Sequence, residues 1–222
     1  MKNDNVIIAP SILAANPLKL GEEIKKVEHS GAKWVHIDIM DGHFVPNLSF
    51  SPDTVKALRG ETDIFFDVHL MISEPEKYIE KFYKCGADLI TVHLEACENP
   101  REIAKKIHSF GIKAGISIKP KTDFSAVSEY VKYFDLVLIM TVEPGFGGQA
   151  YMEDMNPKIK ECRSFINQME YNCYLQVDGG IKPENILMPF ECGADVFVAG
   201  SSFFKAENSE KAILDMLDAL NG

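Results

Sequence analysis

Basic residues are the minority in this 222-residue sequence: 23 Lys and Arg against 33 Asp and Glu leave a formal net charge of −10. No basic stretch offsets repulsion from a phosphate backbone, so nucleic acid is excluded as an expected partner, and so is an anionic membrane surface. Long apolar runs are also missing. The longest, such as Leu136 to Met140, fall far short of the ~20 residues that a bilayer requires, so no membrane span is expected. The five cysteines, at 85, 97, 162, 173 and 192, make an odd count without Cys-x-x-Cys spacing. That pattern argues against a disulfide framework or a zinc ribbon and for buried thiols in a reducing cytoplasm. The polar opening Met1-Lys2-Asn3-Asp4-Asn5 lacks the apolar stretch of a secretory signal. Gly 15 and Pro 11 show no short period, and no Ser/Gly/Pro-rich linker divides the chain, so residues 1–222 are expected to form one domain.

What is present is an alternation. A hydrophobic fraction of 46% with 25% charged residues supports a packed core without a disulfide or metal staple. Eight short apolar, β-branched runs read as strands: Val6 to Ala9, Trp34 to Ile39, Ile64 to Leu70, Leu89 to His93, Ala114 to Ile118, Leu136 to Met140, Tyr174 to Val177 and Val196 to Ala199. Helical patterns lie between them: Leu18 to His29, Glu76 to Lys84 behind Pro75, a helix opened by Asn99-Pro100 and closed at Gly111, one from Asp154 or Asn156 to Met169, a short one from Pro183 to Gly193, and a last from about Ser209 to Leu220. Gly31-Ala32, Gly86-Ala87, Gly111-Ile112 and Gly193-Ala194 each end a helix and launch a strand, at spacings of 55, 25 and 82 residues that approximate multiples of a 27-residue unit. Glycine at these points suits the left-handed residue that terminates a helix. Eight such units occupy nearly the whole chain, which favours a single-domain (β/α)8 TIM barrel over a doubly wound open sheet.

Potential ligands fall at the strands' C-terminal ends. His36 and Asp38, two apart in a strand, point to the same face, leaving Val35, Ile37 and Ile39 for the helices. His69 ends the third strand and Asp178 the seventh, so two imidazoles and two carboxylates are expected to converge on one divalent ion. Each alone would read as a structural residue; four on one rim read as a site. Glycine clusters follow strands six to eight: Gly145-Phe146-Gly147-Gly148, Gly179-Gly180 and Gly200-Ser201. Their backbone amides suit a phosphate, with Lys182 and Lys205 nearby, although any one cluster alone would read as a plain turn. Met40, Met71 and Met140 stand at strand ends, where they either fill the core or cap the mouth with apolar surface. His43, His93 and Glu95 are further rim candidates. His29 and His108 read as exposed helix residues, and Cys85 and Cys192 as packing residues.

Several of these segments together resemble the ribulose-phosphate 3-epimerase family: Ala9-Pro10-Ser11-Ile12-Leu13, the long run from His36 through Asp38-Ile39-Met40-Asp41-Gly42-His43-Phe44-Val45-Pro46 to Asn47, Val68-His69-Leu70-Met71, Pro144-Gly145-Phe146-Gly147-Gly148-Gln149, Val177-Asp178-Gly179-Gly180 and Val198-Ala199-Gly200-Ser201. The likeness runs in order along nearly the whole chain. It implies a (β/α)8 barrel of the ribulose-phosphate-binding type that interconverts D-ribulose 5-phosphate and D-xylulose 5-phosphate in the pentose phosphate pathway. It also implies one divalent ion per chain (Zn²⁺, Fe²⁺, Mn²⁺ or Co²⁺) on His36, Asp38, His69 and Asp178, with Asp38 and Asp178 as acid and base. Ser11 and His69 would touch the sugar phosphate, with Gly145 to Gly148, Gly179, Gly180, Gly200 and Ser201 at its phosphate end. A homo-oligomer in the cytoplasm is the expected setting. Where many bacterial members carry Asn-Pro, this chain has Lys119-Pro120, in a loop expected to lie off the metal site.

Inverting C3 of a 2-ketose needs a base on one face and an acid on the other, which Asp38 and Asp178 on separate strands supply. The similar D-allulose-6-phosphate 3-epimerases read Gly-Phe-Ala-Gly and Asp-Gly-Ser where this chain reads Gly-Phe-Gly-Gly and Asp-Gly-Gly. Barrel decarboxylases and aldol lyases carry Asp-x-Lys-x-x-Asp on the second strand, whereas Asp38 here is followed by Met40 and His43. A metal-dependent phosphohydrolase would use the same ligands to activate water. A non-catalytic barrel would have no need of both carboxylates.

Overall fold

A computed structural model describes residues 6–221, so the polar opening at 1–5 lies outside the described residues. Eight parallel strands run in chain order round a nearly closed barrel: β1 (Ile7–Pro10), β2 (Trp34–Met40), β3 (Phe65–Met71), β4 (Leu89–His93), β5 (Lys113–Ile118), β6 (Leu136–Met140), β7 (Tyr174–Asp178) and β8 (Val196–Ala199). Each matches a sequence-predicted strand to within a residue at either end. The β1–β2 seam is closed by a single parallel bridge, Ser11 to His36.

The outer helices are α1 (Leu20–His29), α2 (Pro52–Arg59), α3 (Ile79–Lys84), α4 (Pro100–Ser109), α5 (Ser125–Ser128), α6 (Asn156–Gln168), α7 (Leu187–Glu191), α8 (Ser201–Phe204) and α9 (Ser209–Asp218). Several boundaries differ from the reading of the sequence: Pro17–Lys19 is a 3-10 turn ahead of α1, and α9 ends at Asp218 rather than Leu220. Pro75 opens a 3-10 turn, Pro75–Lys77, before α3, and the segment after Pro183 turns before α7 begins at Leu187. The four strand-launching glycines take positive φ, at +85° for Gly31, +100° for Gly86, +78° for Gly111 and +103° for Gly193, as a left-handed helix stop requires.

Parallel strands covered on both faces pack in two large apolar regions, with a third, small one at the mouth. Val35, Ile37, Ile39, Val68 and Leu70 belong to the largest one, between sheet and helices. Inside the barrel, residues sort by height. The first residues of three strands, Trp34, Phe65 and Tyr174, plug the N-terminal end, with Trp34 stacked on Phe65 at 4.5 Å and edge-on to Tyr174 at 5.5 Å. Because side chains alternate, the next inward positions on these strands are His36, Asp67 and Gln176, and then Asp38, His69 and Asp178. The β2–β3 register pairs Trp34 with Phe65, His36 with Asp67, Asp38 with His69 and Met40 with Met71. The barrel is thus aromatic at its base, polar at mid-height and capped by methionine, with the potential ligands just beneath the cap.

Candidate active site

His36, Asp38, His69 and Asp178 each offer an atom to a group whose members lie within 4.8 Å of one another. His36 Nε2 is 3.3 Å from Asp38 Oδ1 and 3.8 Å from Asp178 Oδ2, and His69 Nδ1 is 3.4 Å and 3.8 Å from the same two atoms. Both nitrogens are fully buried and have no hydrogen-bond partner among the described residues. A buried polar atom left unpaired costs roughly 1–3 kcal/mol. Two bare imidazole nitrogens aimed with two carboxylates at one point are therefore a donor set that fits a divalent cation.

Three of the four, Asp38, His36 and His69, are held from behind. The Ser11 hydroxyl donates to Asp38 Oδ2 at 2.5 Å, and His36 Nδ1 lies 2.7 Å from Asp67 Oδ2, which also accepts from Gln176 Nε2 at 2.6 Å. A carboxylate behind a ligating imidazole is the usual means of fixing its orientation. His69 Nε2 meets His93 Nε2 at 2.9 Å, and His93 Nδ1 lies 3.2 Å from Glu95 Oε2.

The two aspartates sit in opposed electrostatic positions. Burial favours the neutral form of each, but the His36 and His69 rings beside Asp38 override it and hold that carboxyl far below the usual carboxylate range. Asp178 is pushed well above that range by burial and by the Asp38 charge. Burial also drives His93 down to about 4. Glu95 is held near 2, because hydrogen bonds from His93, Thr122 and Lys119 outweigh its burial.

Above the cluster opens a cavity of about 890 Å³ bordered by Ser11, Asp38 and Asp178 and by the glycine loops. Met40, Met71 and Met140 all line it. Met40 and Met71 pack with Val45 as a small apolar cap, while Met140 joins the inner barrel packing. Gly145, Gly148, Gly179 and Gly180 take positive φ, from +71° to +128°. At Gly180 a Cβ would also run into the Tyr151 backbone nitrogen, so this position needs glycine on both counts. The Gln149 amide donates to the carbonyls of Glu143 and Phe146, and the Asn47 amide donates to Gly145 O at 2.8 Å, fixing the loop after β6. Phe146, 55% exposed, stands at the mouth. Gly147, Gly200 and Ser201 line the same wall, with Lys182 and Lys205 at its edge.

Other rim residues divide. The His43 side chain, 82% exposed, stays within its own loop against Asp41 and does not reach the cluster, whereas His93 and Glu95 do join it through His69. The loop of Lys119 and Pro120 proves tied to the site. Lys119 N donates to Glu95 Oε1 at 2.8 Å, and its ammonium lies 3.7 Å above the Phe44 ring, which covers His93. The sequence reading passed over Asp67 and Gln176. Counting back two residues from His69 and from Asp178 places both on the inward face, but the partner of each follows only from strand register and barrel closure.

Fold and site define a class, the TIM-barrel enzymes whose working residues stand at the C-terminal ends of the strands. Comparison with known proteins narrows it. The model of the ribulose-phosphate 3 epimerase family matches residues 7–204. A Synechocystis sp. protein named ribulose-phosphate 3-epimerase is 45% identical over 94% of this chain and 92% of its own length. One of the same name from Bacillus subtilis is 44% identical over 94% and 97%. Among solved structures, 3-keto-L-gulonate-6-phosphate decarboxylase from Vibrio cholerae superposes with a TM-score of 0.70 over 97% of each chain at 15% identity, a likeness of fold alone. The chain belongs to the ribulose-phosphate 3-epimerase family.

Proposed function

We propose that this protein is a ribulose-phosphate 3-epimerase, an isomerase that inverts C3 between D-ribulose 5-phosphate and D-xylulose 5-phosphate in the pentose phosphate pathway. One observation carries the chemistry. Asp38 and Asp178, on the separate strands β2 and β7, reach one point under the cavity. Two carboxyl groups that reach one carbon from separate strands can serve as base and acid on its two faces. Asp38 takes the C3 proton from one face, and Asp178 delivers one to the other; in the reverse reaction the two exchange roles.

His36, Asp38, His69 and Asp178 would hold one divalent ion per chain, drawn from Zn²⁺, Fe²⁺, Mn²⁺ and Co²⁺. When bound it supplies Lewis-acid stabilisation of the negative charge that develops on the C2 and C3 oxygens. Ser11 lines the cavity and contacts the sugar, whereas His69, also expected to touch it, is fully buried beneath the cavity and serves as a ligand. The amides of Gly145, Phe146, Gly147, Gly148, Gly179, Gly180, Gly200 and Ser201 hold its phosphate, and Met40, Met71 and Met140 keep the reacting end apolar. The proposal extends to one catalytic domain over residues 1–222, working as a homo-oligomer in the cytoplasm. The free state of all five cysteines supports that compartment.

Turnover in deuterium oxide tests the reading. The protein should convert D-ribulose 5-phosphate to D-xylulose 5-phosphate with solvent deuterium at C3, and act faster on it than on D-allulose 6-phosphate. Asp178→Asn should lower the rate by roughly 10²- to 10⁴-fold. Normal exchange and epimerisation by Asp178→Asn would sink the two-base scheme, and release of inorganic phosphate would replace epimerase with phosphohydrolase.

A further inference from the structure

The two imidazoles facing the cluster are braced in different ways. His36 leans directly on the Asp67 carboxylate at 2.7 Å. His69 leans on a second imidazole, His93, which in turn leans on Glu95. Glu95 is the fixed end of this chain: its other oxygen, Oε1, accepts from Lys119 N at 2.8 Å and from the Thr122 hydroxyl at 2.5 Å. His93 is wholly buried, with the Phe44 ring centroid 4.8 Å away and tilted against it.

An ionised carboxylate only accepts hydrogen bonds, and a neutral imidazole donates from one nitrogen and accepts at the other. Those two facts set the direction of the whole chain. His93 must carry its proton on Nδ1, towards Glu95, and so accepts at Nε2. His69 must then carry its proton on Nε2, which leaves Nδ1 bare and facing Asp38 and Asp178. We propose that Glu95, acting through His93, is a positioning residue that fixes the tautomer of His69 and so presents Nδ1 as a ligand atom. This rests on the metal centre proposed above and adds to it a control point in the loops after β4 and β5, outside the cavity wall.

Glu95→Gln tests the direction of the chain while keeping its shape. The glutamine has one oxygen, which the Lys119 N–H and the Thr122 hydroxyl claim, so its NH₂ group faces His93 Nδ1. His93 then has to accept there and donate from Nε2. His69 is forced to accept at Nε2 and to place its proton on Nδ1, the atom aimed at the cluster. Long-range ¹H–¹⁵N spectra of metal-free protein should show wild-type His69 protonated at Nε2 and His93 at Nδ1, with both reversed in Glu95→Gln. Zn²⁺ titration by calorimetry should show roughly 10- to 100-fold weaker binding in the variant, the usual loss when a ligand's supporting partner is removed.

Unchanged tautomers and affinity in a folded Glu95→Gln would overturn the proposal. If the variant does not fold, the wild-type spectrum decides by itself: His69 protonated at Nδ1 overturns the proposal, and His69 protonated at Nε2 with His93 protonated at Nδ1 upholds it. Wild-type protein that binds no Zn²⁺ would count against the metal centre, and is thereby distinguished from a failure confined to Glu95.

Discussion

Asp67 shows how far a single residue can be read in advance. In Phe65-Phe66-Asp67-Val68-His69 it interrupts an apolar run, and composition alone offers no partner for it. Its meaning comes from register, which sets it opposite His36, and from closure of the barrel, which brings Gln176 to it across 109 residues of chain. His36, Asp38, His69 and Asp178 were legible because a two-residue period and a strand's C-terminal end are local facts. The supporting groups were not, because they depend on which strands face each other. Replacing Asp67 with alanine should leave His36 Nδ1 and the Gln176 amide without an acceptor in a fully buried space. The expected cost is about 3 kcal/mol in denaturant-induced unfolding, with roughly 10- to 100-fold weaker metal binding by titration. Unfolding at the wild-type midpoint would show that Asp67 does not hold this layer together.

Among elements, the strands were read closely, since buried runs between helix stops leave little freedom. Three helices escaped: α2, α5 and α8. Helix α2 carried a visible signal, Ser51 before Pro52, and the Ser51 side chain does accept from Thr54 N as an N-cap. Helices α5 and α8 are four residues each, too short for a helical period to show. The loops matter more than the helices for substrate. Gly148 and Gly180 share a left-handed backbone, but a Cβ at Gly148 meets nothing within 4 Å, while one at Gly180 collides with the chain at Tyr151. Gly148→Ala should therefore cost only conformational strain, about 1 kcal/mol, whereas Gly180→Ala must move the loop. In steady-state kinetics KM for D-ribulose 5-phosphate should rise in the order wild type, Gly148→Ala, Gly180→Ala, the last by roughly tenfold or more, since 1.4 kcal/mol is a factor of ten. Equal KM values for the two variants would show that the Gly180 loop does not shape the phosphate end.

For the molecule as a whole, the repeat of helix-ending glycines was enough to select a barrel, but not to show how the barrel closes. Its β1–β2 seam carries the bridge between Ser11 and His36, two residues of the site itself. A chain of net charge −10 must also bring in an anionic substrate. The attraction has to be local, from loop amides, from Lys182 and Lys205, and from the cation that the two bare imidazole nitrogens and two carboxylates would hold under the proposed function. That cation is the centre of the account. The direct measurement is C3 epimerisation of D-ribulose 5-phosphate by protein stripped of metal with a chelator and then reconstituted with Zn²⁺, Fe²⁺, Mn²⁺ or Co²⁺. Stripped protein should be folded and inactive, with activity returning in proportion to added ion up to one per chain; full turnover in rigorously metal-free protein would contradict it.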